Sequence, residues 1–253
     1  MSDIIDLIAK LAAGPERRIG FAQSQEQSNR QLPIIIAIAD VGTSKEDLSE
    51  ADGVARIVPT LGTLKKHLDG NLGLPWGVWD SKNTDRIINK ICESKDNKPD
   101  FMAFPADILS LEIMQLSDVA KILRIPLSIS TDSLLDISNI PADAITVRFD
   151  EPTKVSLETI GRLGTIRSMI DKPLLLELPA DVSSALLSLI KDMGVEGLVV
   201  DTSNNNFASI ARIKELLSSL PKKEKASGQK RPNAAIAGTL NYSVNADEQE
   251  DFE

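Results

Sequence analysis

The second half of the chain carries, in four short apolar runs, the side chains best suited to chemistry: Ser128 and Ser130, then Thr146, Arg148 and Asp150, then Glu177, then Asp201. An arginine fork grips a carboxylate or another oxyanion through two parallel hydrogen bonds. A carboxylate held beside it can serve as a general base. These residue types outline a site for a small carboxylate-bearing metabolite, with Arg148, Ser128, Ser130 and Thr146 binding it and Glu177, Asp201 or Asp150 moving a proton. That is chemistry of the lyase or isomerase kind. The cofactor is left open, with Mg²⁺ one candidate helper.

Other chemistries lack their residues. The one histidine, His67, stands among Lys65, Lys66 and Asp69, which suits a solvated helix face and leaves no Ser-His-Asp triad or multi-histidine metal site. The one cysteine, Cys92, can form no internal disulfide and fits a small buried hydrophobe. A net charge of −9 over 253 residues, with no basic stripe in the patterned region, argues against nucleic acid as a partner. No apolar run reaches the roughly 18 residues of a membrane span, and no basic segment precedes a long apolar stretch at the start. We expect a cytoplasmic protein.

The elements that must position these side chains follow a repeated grammar. Runs at 34–39, 54–58, 76–79, 101–104, 127–130, 144–149, 174–178 and 198–201 read as strands, and most are followed by apolar residues at helical spacing. Pro33, Pro75, Pro126 and Pro173 introduce the odd runs, whereas Asp52, Asp100, Asp143 and Glu196 stand before the even ones. Helices are expected at 44–50, 61–68, 84–93, 109–123, 155–170, 181–193 (capped by Asp181) and 207–217, with a short one after Thr131. Eight alternating strand–helix units with strands apolar on both faces predict a closed parallel (β/α)8 barrel over residues 32–220. An open doubly wound sheet ranks second, because Asp40-Val41-Gly42-Thr43 is no G-x-G-x-x-G turn. Residues 1–31 supply an amphipathic helix and a polar connector. Residues 221–253 are Lys-rich, then weakly apolar, then acidic, and read as a flexible tail.

Strand alternation assigns directions. Thr146, Arg148 and Asp150 point inward opposite Ile145, Val147 and Phe149; Ser128 and Ser130 point inward opposite Leu127 and Ile129; Glu177 and Asp201 point inward from the last two runs. Arg148 and Glu177 then meet on neighbouring strands, as ligand machinery or as a structural pair. If Ala37 and Ala39 also face inward, they leave room for a ligand. Arg56, placed toward the amino end of its strand, reads as structural.

Asp80, Asp107 and Asp132 fall at consecutive strand ends, where they could hold Mg²⁺ or merely cap helices. Phosphate is disfavoured, since the last two loops lack glycine and follow Glu177 and Asp201. No run holds a lysine for Schiff-base chemistry. A second class of function stays open: short loops, few glycines at strand ends and a charged tail also suit a non-catalytic barrel that binds a partner protein through residues 221–253.

Overall fold

The computed structural model describes residues 2–13, 32–40, 43–68, 73–79, 84–94, 98–106, 117–148, 156–179, 181–202 and 206–220. Asp80, Asp107, Asp150 and residues 221–253 lie outside the described residues. Eight parallel strands close into a barrel in sequence order: β1 (Ile34–Ile38), β2 (Gly53–Ile57), β3 (Trp76–Trp79), β4 (Phe101–Pro105), β5 (Ala120–Pro126), β6 (Ala144–Arg148), β7 (Leu174–Leu178) and β8 (Gly197–Asp201). Around them stand α2 (Leu61–Leu68), α3 (Thr84–Glu93), α4 (Thr131–Ser138), α5 (Leu157–Met169), α6 (Ser184–Met193) and α7 (Ala208–Ser219), and α1 (Asp3–Ala13) precedes the first strand. The fold is the expected (β/α)8 barrel.

Three local expectations fail, each for a physical reason. Segment 44–50 forms successive turns rather than an α-helix, with three-residue bonds such as Leu48 N–H to Lys45 O (3.2 Å); the reciprocal Ser44–Asp47 cap does form, at 2.8 Å between side chains. β5 lies upstream of the expected run and takes up the end of the helix expected at 109–123, because Pro126 closes the strand instead of opening it; residues 107–116 lie outside the described residues. Its Ile122, Leu123 and Ile125, interrupted by Lys121 and Arg124, fit a helical period as well as an alternating one. Lys121 thus falls in a strand, but it projects toward the helices, opposite the inward Ala120, Ile122 and Arg124. Third, Ser183 rather than Asp181 caps α6, accepting from Leu186 N–H, while Asp181 pairs with Arg212 at 3.0 Å.

Strand pairing stacks the inward side chains in layers of four, contributed by alternate strands, when each neighbour is stepped up one residue as a barrel of this shear requires. Ile57, Pro105, Arg148 and Asp201 form the open layer at the carboxyl end. Beneath it lie Ile38, Trp79, Arg124 and Glu177, then Ala55, Ala103, Thr146 and Val199, then Ile36, Gly77, Ile122 and Leu175. Large residues of one strand face small ones of another. Gly77 is required here: a Cβ would sit 2.3 Å from the Phe101 ring, which rises into that space.

Ile34, Ile36 and Ile38 of β1 therefore point inward, and Ile35, Ala37 and Ala39 face out into the core between strands and helices. This overturns the expectation that those alanines open ligand space. The interior beside β1 is lined by the small Gly53 and Ala55 of β2 and Gly77 of β3, and the inward isoleucines fill it.

The acids that precede the even strands have a shared structural task at the amino end. Asp52, Asp143 and Glu196 each accept the N–H of an odd-strand residue, respectively Ile35 (2.8 Å), Lys121 (2.8 Å) and Leu174 (2.9 Å). Each also donates its own N–H to that residue's carbonyl, at 2.8, 2.8 and 3.0 Å. Asp100 departs from the pattern. Its carboxylate accepts Asp3 N–H (2.7 Å), Ile4 N–H (2.9 Å) and the Ser2 hydroxyl (2.8 Å), satisfying donors that a helix start leaves unpaired. So held, α1 presses the fully buried Ile4 and Ile8 into the barrel interior, and a Cβ at Gly53 would meet Ile4 Cδ1 at 2.7 Å.

Replacing Asp100 by Ala should lower the unfolding free energy by about 1–3 kcal/mol. Hydrogen–deuterium exchange in α1 should accelerate well ahead of exchange in the strands. Unchanged protection of α1 would contradict this role for Asp100.

Candidate functional site

The carboxyl mouth divides into two halves. From β5 to β8 the upper two layers supply Arg124, Arg148, Glu177 and Asp201; from β1 to β4 they supply Ile38, Ile57, Trp79 and Pro105. One half is charged with both signs, and the other is apolar.

Glu177 is where the sequence-based expectation needs its main correction. Arg148 is its register partner on β6, as expected. The cation that engages its carboxylate is Arg124, two strands away in the same layer, with Nε to Oε1 at 2.8 Å and Nη2 to Oε2 at 3.1 Å. Both side chains are largely buried, 14% and 11% exposed, which makes the paired geometry necessary. The Arg124 guanidinium also lies 5.0 Å from the centroid of the Trp79 ring, inside cation–π range. Three members of one layer thus form a single packed unit. Arg124 and Trp79 were absent from the sequence-based site. The signal for Arg124 is the alternation Ala120, Ile122, Arg124, taken with the demand of an inward Glu177 for a cation.

Directly below, Thr146 is fully buried, and its hydroxyl has no hydrogen-bond partner among the described residues. It faces the interior as expected, but under the Arg124–Glu177 pair rather than at the open surface. Above the pair, Arg148 and Asp201 are exposed at the carboxyl ends of their strands. The position of Asp201 is pinned by the next residue: Thr202, itself fully buried, donates both its N–H (3.0 Å) and its hydroxyl (2.7 Å) to the Ile38 carbonyl.

Ser128 and Ser130 do not face the interior. With β5 ending at Pro126, both fall in the following turn and line a cleft of about 650 Å³ between α4 and α5, with Leu134, Gly161, Arg162 and Thr165 among its walls. Ser130 caps α4, accepting from Ser133 N–H at 3.2 Å. Arg56 is the buried structural side chain expected, but not at the amino end of its strand. It is the penultimate residue of β2 and faces the helices between Val54 and Val58, with Nη1 donating to the Asp40 carbonyl. Burial lowers its pKa, and nearby Asp40 opposes that shift. Asp150 lies outside the described residues, as do two acids of the supposed metal trio, Asp80 and Asp107; the third, Asp132, is exposed in the first turn of α4. Among the described residues no group of three or more His, Cys, Asp or Glu is placed to hold a metal ion.

Among solved structures, the chain is similar to a mutant tryptophan synthase α-subunit from the hyperthermophile Pyrococcus furiosus, at 11% identity and a TM-score of 0.54 over 74% of this chain and 98% of that chain. It is also similar to the thiamine phosphate pyrophosphorylase of the same organism, at 11% identity and a TM-score of 0.50 over 73% and 95% of the two chains. The likeness is one of fold. At such identity it carries no activity from one chain to the other. No family model matches the sequence, and no curated protein matches it.

Arg124→Met and Glu177→Leu should each cost about 3–5 kcal/mol in urea unfolding, because each leaves a buried charge without its partner. The double variant should recover most of that loss. Additive losses in the double variant would show that the two residues do not act as a unit.

Proposed function

We propose that the protein is an enzyme acting on a small carboxylate-bearing metabolite at the carboxyl mouth of the barrel. The supporting observation is the open layer itself, where Arg148 and Asp201 stand exposed opposite Ile57 and Pro105. Ligand sites of this architecture lie at that face. Arg148 suits the carboxylate because its planar fork matches two oxygens at once. Asp201 is the acid that reaches the ligand, as counter-charge or as proton acceptor. Glu177 works indirectly, holding Arg124 and Trp79 as the floor on which the open layer rests. Asp150, two residues beyond Arg148, remains a proposed further acid, and Thr146 a polar group beneath the floor. Ser128 and Ser130, in the turn after β5 and lining the cleft between α4 and α5, leave the proposed site.

A reaction of lyase or isomerase type, with or without Mg²⁺, is the chemistry this residue set supports. No described helix is long and apolar enough to cross a membrane.

A thermal-shift screen of small carboxylates, run with and without Mg²⁺, should find binders. Arg148→Ala should weaken their binding about 10–100-fold and leave the unliganded unfolding midpoint near that of the parent, since the side chain is exposed. Carboxylate binding that survives Arg148→Ala would refute this site.

A further inference from the structure

We propose that the outer face formed by α4 and α5 is a docking surface for a partner protein, which lays the apolar side of a basic amphipathic helix along the cleft between them. The cleft, of about 650 Å³, is walled by the turn that leads into α4 and by α5 from Glu158 to Ile166. Leu134 and Ile166, almost completely buried, give it an apolar floor. A groove of this kind takes a helix through anchors spaced three, four and seven residues apart.

The apolar surface continues beyond the floor. Among the described residues, the two most exposed large apolar side chains are Leu157, 87% exposed, and Leu135, 57% exposed. Leu157 lies one helical turn from Gly161, and Leu135 one turn from Thr131, both of which line the cleft. A lone exposed leucine is ordinary. Two that flank one apolar-floored cleft extend it into a patch of the kind that partners cover.

Gly161 adds a gap in the α5 wall. A Cβ there would meet nothing within 4 Å, so packing within the chain does not require glycine at this position. Glycine inside a helix costs stability relative to alanine. The open space lets a partner's side chain approach the α5 backbone between Leu157 and Thr165.

Charge selects the occupant. Asp132 and Asp136, both exposed, bracket Leu135 on α4, which carries no basic residue. On the cleft-lining part of α5 the only cation is Arg162, already held by Glu158 at 3.1 Å. A second copy meeting this face by two-fold symmetry would set acid against acid. An anionic membrane would be repelled. A helix bearing lysine or arginine beside its apolar side meets Asp132, Asp136 and Glu158, and the net charge of −9 draws it in.

Two synthetic helical peptides of about 15 residues would test the surface on the full chain. Both carry leucines at the anchor spacing, and they differ only in having lysine or glutamate elsewhere. By fluorescence anisotropy the lysine peptide should bind about tenfold tighter or more. Gly161→Met, which fills the cleft, should weaken that binding about tenfold or more while the thermal midpoint of the free protein stays level or rises. Asp136→Lys should weaken the lysine peptide and strengthen the glutamate one. The proposal is overturned if the lysine peptide does not bind, if the two peptides bind alike, or if either substitution leaves the affinities unmoved. A dimer in sedimentation that Gly161→Met dissolves would give the face to a second copy and overturn it equally.

Discussion

A carboxylate that points into a filled barrel must be met by a cation in its own layer, and Glu177 imposes that condition on the rest of the molecule. Leaving it unpaired would cost several kcal/mol, a large share of the stability of an ordinary domain. Arg124 meets the demand with two bonds, and its guanidinium carbon lies over the Trp79 ring. Because Arg124 must stand inward on β5, that strand has to run from Ala120 to Pro126. The turn after Pro126 then carries Ser128 and Ser130 away to the outer cleft. Arg148 and Asp201 are left as the charges of the open layer.

The two ends of the barrel use acids differently. At the amino end, Asp52, Asp143 and Glu196 clasp neighbouring strands through backbone groups, and Asp100 diverts the same device to anchor α1. These acids are occupied by the fold. At the carboxyl end, Glu177 faces a side chain, and Asp201 is exposed at the rim. In this architecture that is the division expected between stability at one face and ligand contact at the other.

Much of this was legible in the residues. Seven of the eight strands follow from short apolar runs bounded by proline or acid, and the inward direction of Arg148, Glu177 and Asp201 follows from alternation alone. The fifth strand was misplaced because proline bears two meanings at a strand boundary. It opened β1, β3 and β7, but it closes β5, where the residues before it fit two periods equally. The partner of Glu177 was missed for a related reason. Pairing across one strand puts Arg148 beside it, but layers of a sheared barrel join alternate strands, and that geometry is invisible until β5 is in register. The orientation of β1 could not be read from its own sequence, since Ile34 to Ala39 is apolar on both faces; it is decided by the small residues it must pack against.

The central claim is that the charged half of the mouth, and not the hydroxyl-lined cleft between α4 and α5, is where a ligand sits. Amide chemical-shift mapping by ¹H–¹⁵N NMR, with a carboxylate binder titrated into the labelled chain, tests it most directly. The account predicts shifts concentrated at Arg148, Glu177, Asp201 and Thr202, with Ser128, Ser130 and Thr165 unmoved. Shifts confined to those three cleft residues would contradict it.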